Sequence, residues 1–189
     1  MAFKGGKGSK KMGKKFLVKA LIVVFVLFAI IGLWFHHELT RLPPTPAVFV
    51  AGRDSTMEES AFFNITTVKY GTSAVVKSLE VINQTVKMGV STDPNEINWG
   101  VVPKGVFVGK TMNLGNTRPT DAKVNIAVHG DIKPFVSVVG GDTFILKSGE
   151  SKSVELLFNA SEIGEYVGEI DVYIRIPKNW LVKSFLDLA

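Results

Sequence analysis

The sequence predicts an all-β domain, a β-sandwich, that is preceded by one N-terminal transmembrane helix. Three observations in the 189-residue chain carry this prediction. One apolar run of membrane-spanning length lies near the N-terminus. Short alternating apolar runs, separated by turns rich in Gly, Pro and Asn, fill most of the remainder. No helical periodicity lies between these runs, which excludes a parallel α/β sheet because such a sheet needs a helix between successive strands.

The net charge of +5 is concentrated at the N-terminus. Seven of the 22 basic residues and none of the 17 acidic ones lie in the first 19 positions, so the rest of the chain is slightly acidic. A nucleic-acid-binding domain carries basic residues over a folded face, so we expect no nucleic-acid partner. The chain has no cysteine, which excludes disulfides, thiolate metal sites and a cysteine nucleophile. Only three histidines and no catalytic or phosphate-binding motif are present, so we expect no enzyme, no metal and no cofactor.

Residues 16–35 (FLVKALIVVFVLFAIIGLWF) are the predicted transmembrane helix. Twenty residues at about 1.5 Å each span about 30 Å, the thickness of the hydrocarbon core. Lys19 lies one turn from the start, where its long side chain can reach the interface, and Trp34 at the far end suits the headgroup layer. Together with Lys14 and Lys15, these two residues are the predicted membrane-interface positions.

Residues 1–15 are predicted to be a basic cytoplasmic tail. The positive-inside rule keeps such a tail in the cytoplasm and places the chain after the helix outside, so the predicted location is the cell membrane. The apolar run exceeds the roughly 7–15 residues of a signal-peptide core, and no small-residue cleavage site follows it, so we expect an uncleaved signal-anchor. Two alternatives stay open. One is a cleaved signal peptide, and the other is a prepilin-type signal cut near Gly13, ahead of the run.

Residues 36–65 are predicted to be a linker that contains a short helix. Three prolines within residues 43–46 favour an extended polyproline conformation, which would hold the following domain away from the bilayer. Ser55 is followed three residues later by Glu58, a capping-box pattern that predicts a helix near residues 56–63.

Residues 66–177 are predicted to form the β-sandwich. Val124, Ile126 and Val128 show the alternation of a half-buried strand, and residues 164–176 give the longest strand signal. About seven to eight such runs recur at turn spacings of roughly 8–12 residues, which is typical of a sandwich.

Several turn motifs in this region resemble those of immunoglobulin-like domains of the major-sperm-protein/ASH type. They are residues 97–105 (INWGVVPKG) with 110–117 (KTMNLGNT), residues 146–151 (LKSGES, with Ser148 where proline is usual), and residues 163–170 (IGEYVGEI). The resemblance covers residues 97–176 and implies an immunoglobulin-like sandwich that binds or spaces. An anchor ahead of such a domain also resembles the architecture of archaeal surface proteins, including stator subunits of the archaellum.

Residues 178–189 are predicted to form an amphipathic C-terminal helix. Trp180, Leu181, Phe185 and Leu188 fall on one face of that helix. An apolar face at a chain end is usually covered, so these four residues are candidates for packing on the sandwich or for docking on a membrane or a partner protein.

Three N-x-Ser/Thr sequons, at Asn64, Asn83 and Asn159, are candidate glycosylation sites because they lie on the predicted outer side. The chain as a whole predicts a single-pass, extracytoplasmic binding or spacer module at the cell surface. Its expected partners are membrane lipid, through the helix, and a protein of the envelope. The alternative is a subunit or stator-like component of a surface filament or envelope assembly.

Overall fold

A computed structural model describes residues 14–41, 44, 47–78, 95–184 and 186. The chain divides into two compact units, Met1–Arg41 and Leu42–Ala189. The first unit contains one helix, α1 (Lys14–Thr40), which extends beyond the predicted residues 16–35 at both ends. Its segment Leu17–Glu38 has a mean hydropathy of 2.8 and no buried side chain. A helix of this length and composition is long enough to cross a membrane, as some signal sequences also are.

The second unit is β-rich, and its strands form two sheets, which confirms the predicted all-β, sandwich-like class. The larger sheet has the order β1–β2–β9–β5–β7, with β3 also paired to β2, and the smaller sheet has the order β4–β8–β6. The described elements are β1 (Arg53–Glu59), β2 (Phe63–Lys77), β3 (Glu96–Pro103), β4 (Val108–Gly115), β5 (Ala122–Gly130), β6 (Val136–Val138), β7 (Thr143–Leu146), β8 (Ser151–Phe158), β9 (Gly164–Pro177) and a short helix, α2 (Trp180–Lys183).

The long strand β2 organises the larger sheet. One edge of β2 pairs with β9 over fourteen residues. The other edge is shared, because β1 pairs antiparallel with residues 64–70 and β3 pairs parallel with residues 71–77. The parallel pairing of β2 with β3 was not predicted. The alternation of Val86, Met88 and Val90 also predicts a strand, but these residues lie outside the described residues.

The hydrophobic core lies between the two sheets. Residues of β2, β3, β5, β8 and β9 supply most of it, and Trp99 of β3 stacks on Phe158 with 5.4 Å between ring centroids. The indole N–H of Trp99 donates to Thr72 Oγ1 at 3.0 Å, and that hydroxyl donates to the carbonyl of Ile97 at 2.7 Å. The large aromatic group is therefore buried with its polar atom paired.

The predicted helix near residues 56–63 is wrong. Residues 53–59 form strand β1, which pairs with β2 through seven consecutive residues. A capping-box pattern has only a local effect on the backbone, whereas a ladder along a central strand fixes the whole segment. The sheet therefore begins at Arg53, within the predicted linker, and the predicted start of the sandwich at residue 66 is too late.

The C-terminal helix is also shorter than predicted. Helix α2 covers four residues, and the side chain of Asn179 caps it by accepting a hydrogen bond from the Val182 amide at 2.9 Å.

Candidate functional site

A groove of about 320 Å³ opens between β1 and β4 on the inner side of the larger sheet. It exists because the sheet that contains β1 is wider than the three-stranded sheet that faces it. The apolar side chains in its lining come from β1, β2, β4, β5, β7 and β9, and they are Met57, Val68, Tyr70, Leu114, Val124, Leu146, Ile174 and Ile176. Met57 is 67% exposed, so apolar surface at the mouth of the groove is accessible to a ligand.

The charged residues that line the groove are positive. Arg53 and Arg118 line it, and among the described lining residues there is no carboxylate. The guanidinium of Arg53 lies 5.6 Å from the centroid of the Tyr70 ring, a cation–π contact that holds the charge over the apolar floor. The backbone at Arg118 is fixed by the side chains of Asn116 and Ser148 at 3.1 and 2.9 Å. The groove is thus apolar and electropositive.

Among the described residues, no strand pairs with the edge of β1 that faces away from β2, and we call this edge, which lies beside the groove, the open edge. The Gly71 amide donates to the carbonyl of Gly52, and the Ser60 amide donates to that of Phe63, so the even-numbered residues bond to β2. The N–H and C=O groups of the odd-numbered residues of β1 therefore point to the open edge, where the Ser55 amide already donates to the Asp54 carboxylate at 2.8 Å. Of the side chains of these odd-numbered residues, those of Arg53 and Met57 line the groove, and Arg53 pairs directly with Tyr70. All seven residues of β1 are exposed.

The opposite face of the larger sheet carries a second polar feature. Ile170 and Val172 of β9 belong to the core. Because side chains alternate along a strand, the odd-numbered residues of this part of β9 project to the other face. Four of these are polar and at most 2% exposed, and they are Glu169, Asp171, Tyr173 and Arg175. We call them the buried polar row.

Glu169 connects this row to the chain that precedes β1. One carboxylate oxygen accepts the Val50 amide at 2.7 Å, and the other accepts the Lys69 ammonium at 3.3 Å. Burial would raise the pKa of Glu169, but the Val50 amide, the Asp171 carboxyl and Lys69 together hold it below its usual value.

Asp171 lies beside Glu169 in the row. It accepts the hydroxyl of Tyr173 at 2.7 Å, and His129 Nε2 lies 3.5 Å from the same oxygen. Burial raises the pKa of Asp171 to about 6, and the charge of Glu169 adds to the rise, while Tyr173 opposes it. Burial lowers the pKa of His129. Because the row is closed to solvent, we interpret it as a structural cluster and not as a substrate site.

The predicted site residues have mixed outcomes. On α1, Lys19 and Trp34 are exposed, and Trp34 is 54% exposed. The side chains of Lys14 and Lys15 are not described. Across the part of the chain that the structure describes, no group of three or more potential metal-ligating side chains is found.

The structure describes only part of the predicted docking face at the C-terminus. Trp180 and Leu181 are 78% and 47% exposed, whereas the buried residues of this segment are Val182 and Leu186, at 1% and 3%. Docking of Trp180 and Leu181 on a membrane or a partner protein stays a prediction. Phe185 and Leu188 lie outside the described residues.

The sequons differ in their surroundings. Asn64 is exposed in β2, whereas Asn159 is half-buried and its amide donates to the carbonyl of Gly105 at 3.2 Å. Asn83 lies outside the described residues. Glycosylation stays a prediction for all three.

Comparison of the chain with protein-family models, with curated proteins and with solved structures finds no match. Its function must accordingly be inferred from its own residues, above all from the groove and the open edge of β1.

Proposed function

We propose that the protein is a single-pass, membrane-anchored, extracytoplasmic binding module that takes an extended segment of a partner protein along β1. The main observation behind this proposal is the open edge of β1, which lies above an apolar groove. The charged residues that line the groove are Arg53 and Arg118. An extended peptide satisfies the backbone groups of such an edge, and its alternate side chains enter the pocket below.

The anchor in this proposal is α1. Its apolar side chains are exposed on all sides, as Phe25 and Phe28 at 74% and 70% illustrate, and lipid is the medium that suits such a surface. The lysine-rich tail orients the N-terminus to the cytoplasm and the β-domain to the cell surface. The turn motifs of residues 97–176 support an immunoglobulin-like type for the sandwich.

The charge pattern defines the chemistry of the partner segment. Side chains that enter the groove meet Met57 and Tyr70, which favour apolar residues, and Arg53, which favours a carboxylate. On the other face β1 presents Asp54 and Glu58, so the outward side chains of the partner should be neutral or basic.

A second copy of β1 fits this pattern poorly. Antiparallel self-pairing centred on Thr56 would align all seven residues and place Asp54 opposite Glu58 of the second copy, twice. It would also place Ser55 opposite Met57, where the groove calls for an apolar residue. Charged residues on an edge strand commonly prevent such self-association. The partner is therefore a different polypeptide.

The proposal is tested with the full chain in detergent and a synthetic seven-residue peptide. One face of the peptide carries leucine and glutamate, and the other face carries lysine and threonine. In the control peptide the lysine and glutamate residues exchange faces. Hydrogen exchange should slow at the amides of Arg53, Met57 and Glu59 when the first peptide binds. R53E should weaken binding at least tenfold, whereas K104E, at an exposed lysine of the β3–β4 turn, should not. Equal binding of both peptides, or no protection of these amides, would refute the proposal.

The alternative function is a subunit or stator-like component of a surface filament or envelope assembly. It uses the same anchor and is favoured by the same open edge, but the neighbouring subunit then occupies β1. If the odd-numbered amides of β1 become protected as protein concentration rises, without any peptide, this alternative replaces the first proposal.

A further inference from the structure

Strand β3 continues the edge of the larger sheet that β1 begins. Strand β1 pairs with residues 64–70 of β2, and β3 pairs with residues 71–77 along the same edge of β2. The two strands therefore lie end to end. A partner segment that pairs with β1 and continues past Arg53 would run beside β3, which among the described residues pairs only with β2.

A bulge makes the backbone of β3 irregular. The register of its ladder with β2 shifts between Ser73 and Ala74, and Trp99 is the extra residue on β3. The shift lets Trp99 and Val102, which are three positions apart, both face the core. Gly100 lies between them with a φ of 67°, a conformation that favours glycine. Such a bulge disrupts the regular ladder that a further strand needs.

Strand β3 also offers few backbone donors on its open side. The Gly100 amide already donates to the side chain of Asn98 at 2.8 Å. The Lys104 amide donates to a carbonyl of β2 at 2.9 Å, and because backbone groups alternate in direction along a strand, Pro103 faces the open side. Proline has no N–H to donate. Over residues 100–103, the Val101 amide is therefore the one donor that remains for a partner.

Strand β1 differs from β3 in both respects. It pairs with β2 through seven consecutive residues with no shift of register, and it contains no proline. Its open edge presents the amides of Arg53, Met57 and Glu59, as described above. Regular pairing with a partner is therefore possible along β1 and is interrupted where β3 begins.

We propose that β3 is a stop that ends the pairing of the partner segment at Arg53, so that the module recognises a single strand as long as β1. This inference rests on the proposed function and deepens it, because it defines the length of the segment that is bound. The bulge at Gly100, the side chain of Asn98 and the ring of Pro103 set this limit. The partner contributes one short extended stretch and does not add a strand along the whole of β2.

Peptides of two lengths test the stop with the full chain in detergent. The seven-residue peptide of the proposed function is extended by seven residues of alternating threonine and glutamine, at its N-terminus in one peptide and at its C-terminus in another. One of the two then continues past Arg53, whichever direction the peptide takes. Both should bind within about threefold of the short peptide, and neither should slow hydrogen exchange at the Val101 amide.

Protection of Val101 by either extended peptide would overturn the inference and leave the proposed function intact. If no peptide protects the Met57 amide, the proposed function fails and this inference falls with it. The double variant N98A/P103A adds two donors to the open side of β3. In this variant one extended peptide should protect Val101, and unchanged exchange there would overturn the assignment of the stop to Asn98 and Pro103.

The bond that occupies the Gly100 amide can be measured without a peptide. N98A should speed hydrogen exchange at Gly100 by about tenfold or more, because it removes the acceptor of that amide. N113A is the matched control, since the side chain of Asn113 bonds to Ser153 on β8. Equal Gly100 exchange in N98A and N113A would overturn the role of Asn98 in the stop.

Discussion

Replacement of Asp171 by asparagine should stabilise the β-domain at neutral and alkaline pH. The pKa of Asp171 is about 6 in the fold, against an ordinary value of 3.8, so the folded state favours the protonated form. Folding stability therefore rises as pH falls through 6 toward 4, and it is lost as pH rises through 6. A difference of about two pKa units corresponds to about 3 kcal/mol at pH 8, which is an order-of-magnitude cost for the buried carboxylate. D171N cannot ionise, keeps the shape of the side chain and can still accept from Tyr173 and donate to Glu169.

Denaturant unfolding followed by tryptophan fluorescence, at pH 5 and pH 8, measures this effect. D171N should raise the free energy of unfolding by about 1–3 kcal/mol at pH 8 and by about half as much at pH 5, because pH 5 lies between the two pKa values. His129 must be separated from this signal, because its lowered pKa makes stability fall as pH drops through 6.5. The comparison is therefore made in an H129Q background at each pH, because His129 Nε2 lies 3.5 Å from Asp171 and its contribution would not cancel between D171N and wild type. An equal effect of D171N at both pH values, or a loss of stability at pH 8, would refute the reasoning.

Other consequences of the structure are open to direct measurement. F158A should cost about 3–5 kcal/mol of stability in denaturant unfolding, because Phe158 is fully buried against Trp99, and a cost below 1 kcal/mol would contradict this packing. Since the chain has no native cysteine, S9C and K104C provide a topology test: a membrane-impermeant maleimide on intact cells should label K104C and not S9C. In a host that glycosylates, N64Q should shift the protein mass because Asn64 is exposed, and an unchanged mass would show that this sequon is not used.

The strands were predictable where a local pattern determines them. Val124 and Ile126 alternate with polar neighbours, and both are buried in β5 as expected. Strand β1 was missed because its sequence, RDSTMEE, has no apolar alternation and is held by pairing with β2 alone. Strand propensity depends on residues that are close along the chain, so it does not predict the pairing of β1 with β2.

The candidate site was not predictable for a related reason. The groove depends on which strands lie at the edges of each sheet, and the sequence does not state the strand order. In β9, Glu169, Asp171 and Arg175 alternate with apolar residues, a pattern that ordinarily indicates a solvent-exposed face. Their burial depends in part on the chain just before β1, and no local signal indicates that Val50, 119 residues away, contacts Glu169.

The position of β1 has a mechanical consequence. It is the first strand after the helix and also the outer strand of the larger sheet. If a partner pairs with β1 as proposed, a pull on that partner reaches the rest of the β-domain through the seven-residue β1–β2 ladder. The hydrogen bonds of that ladder, and not the apolar layer between the sheets, would bear the load first.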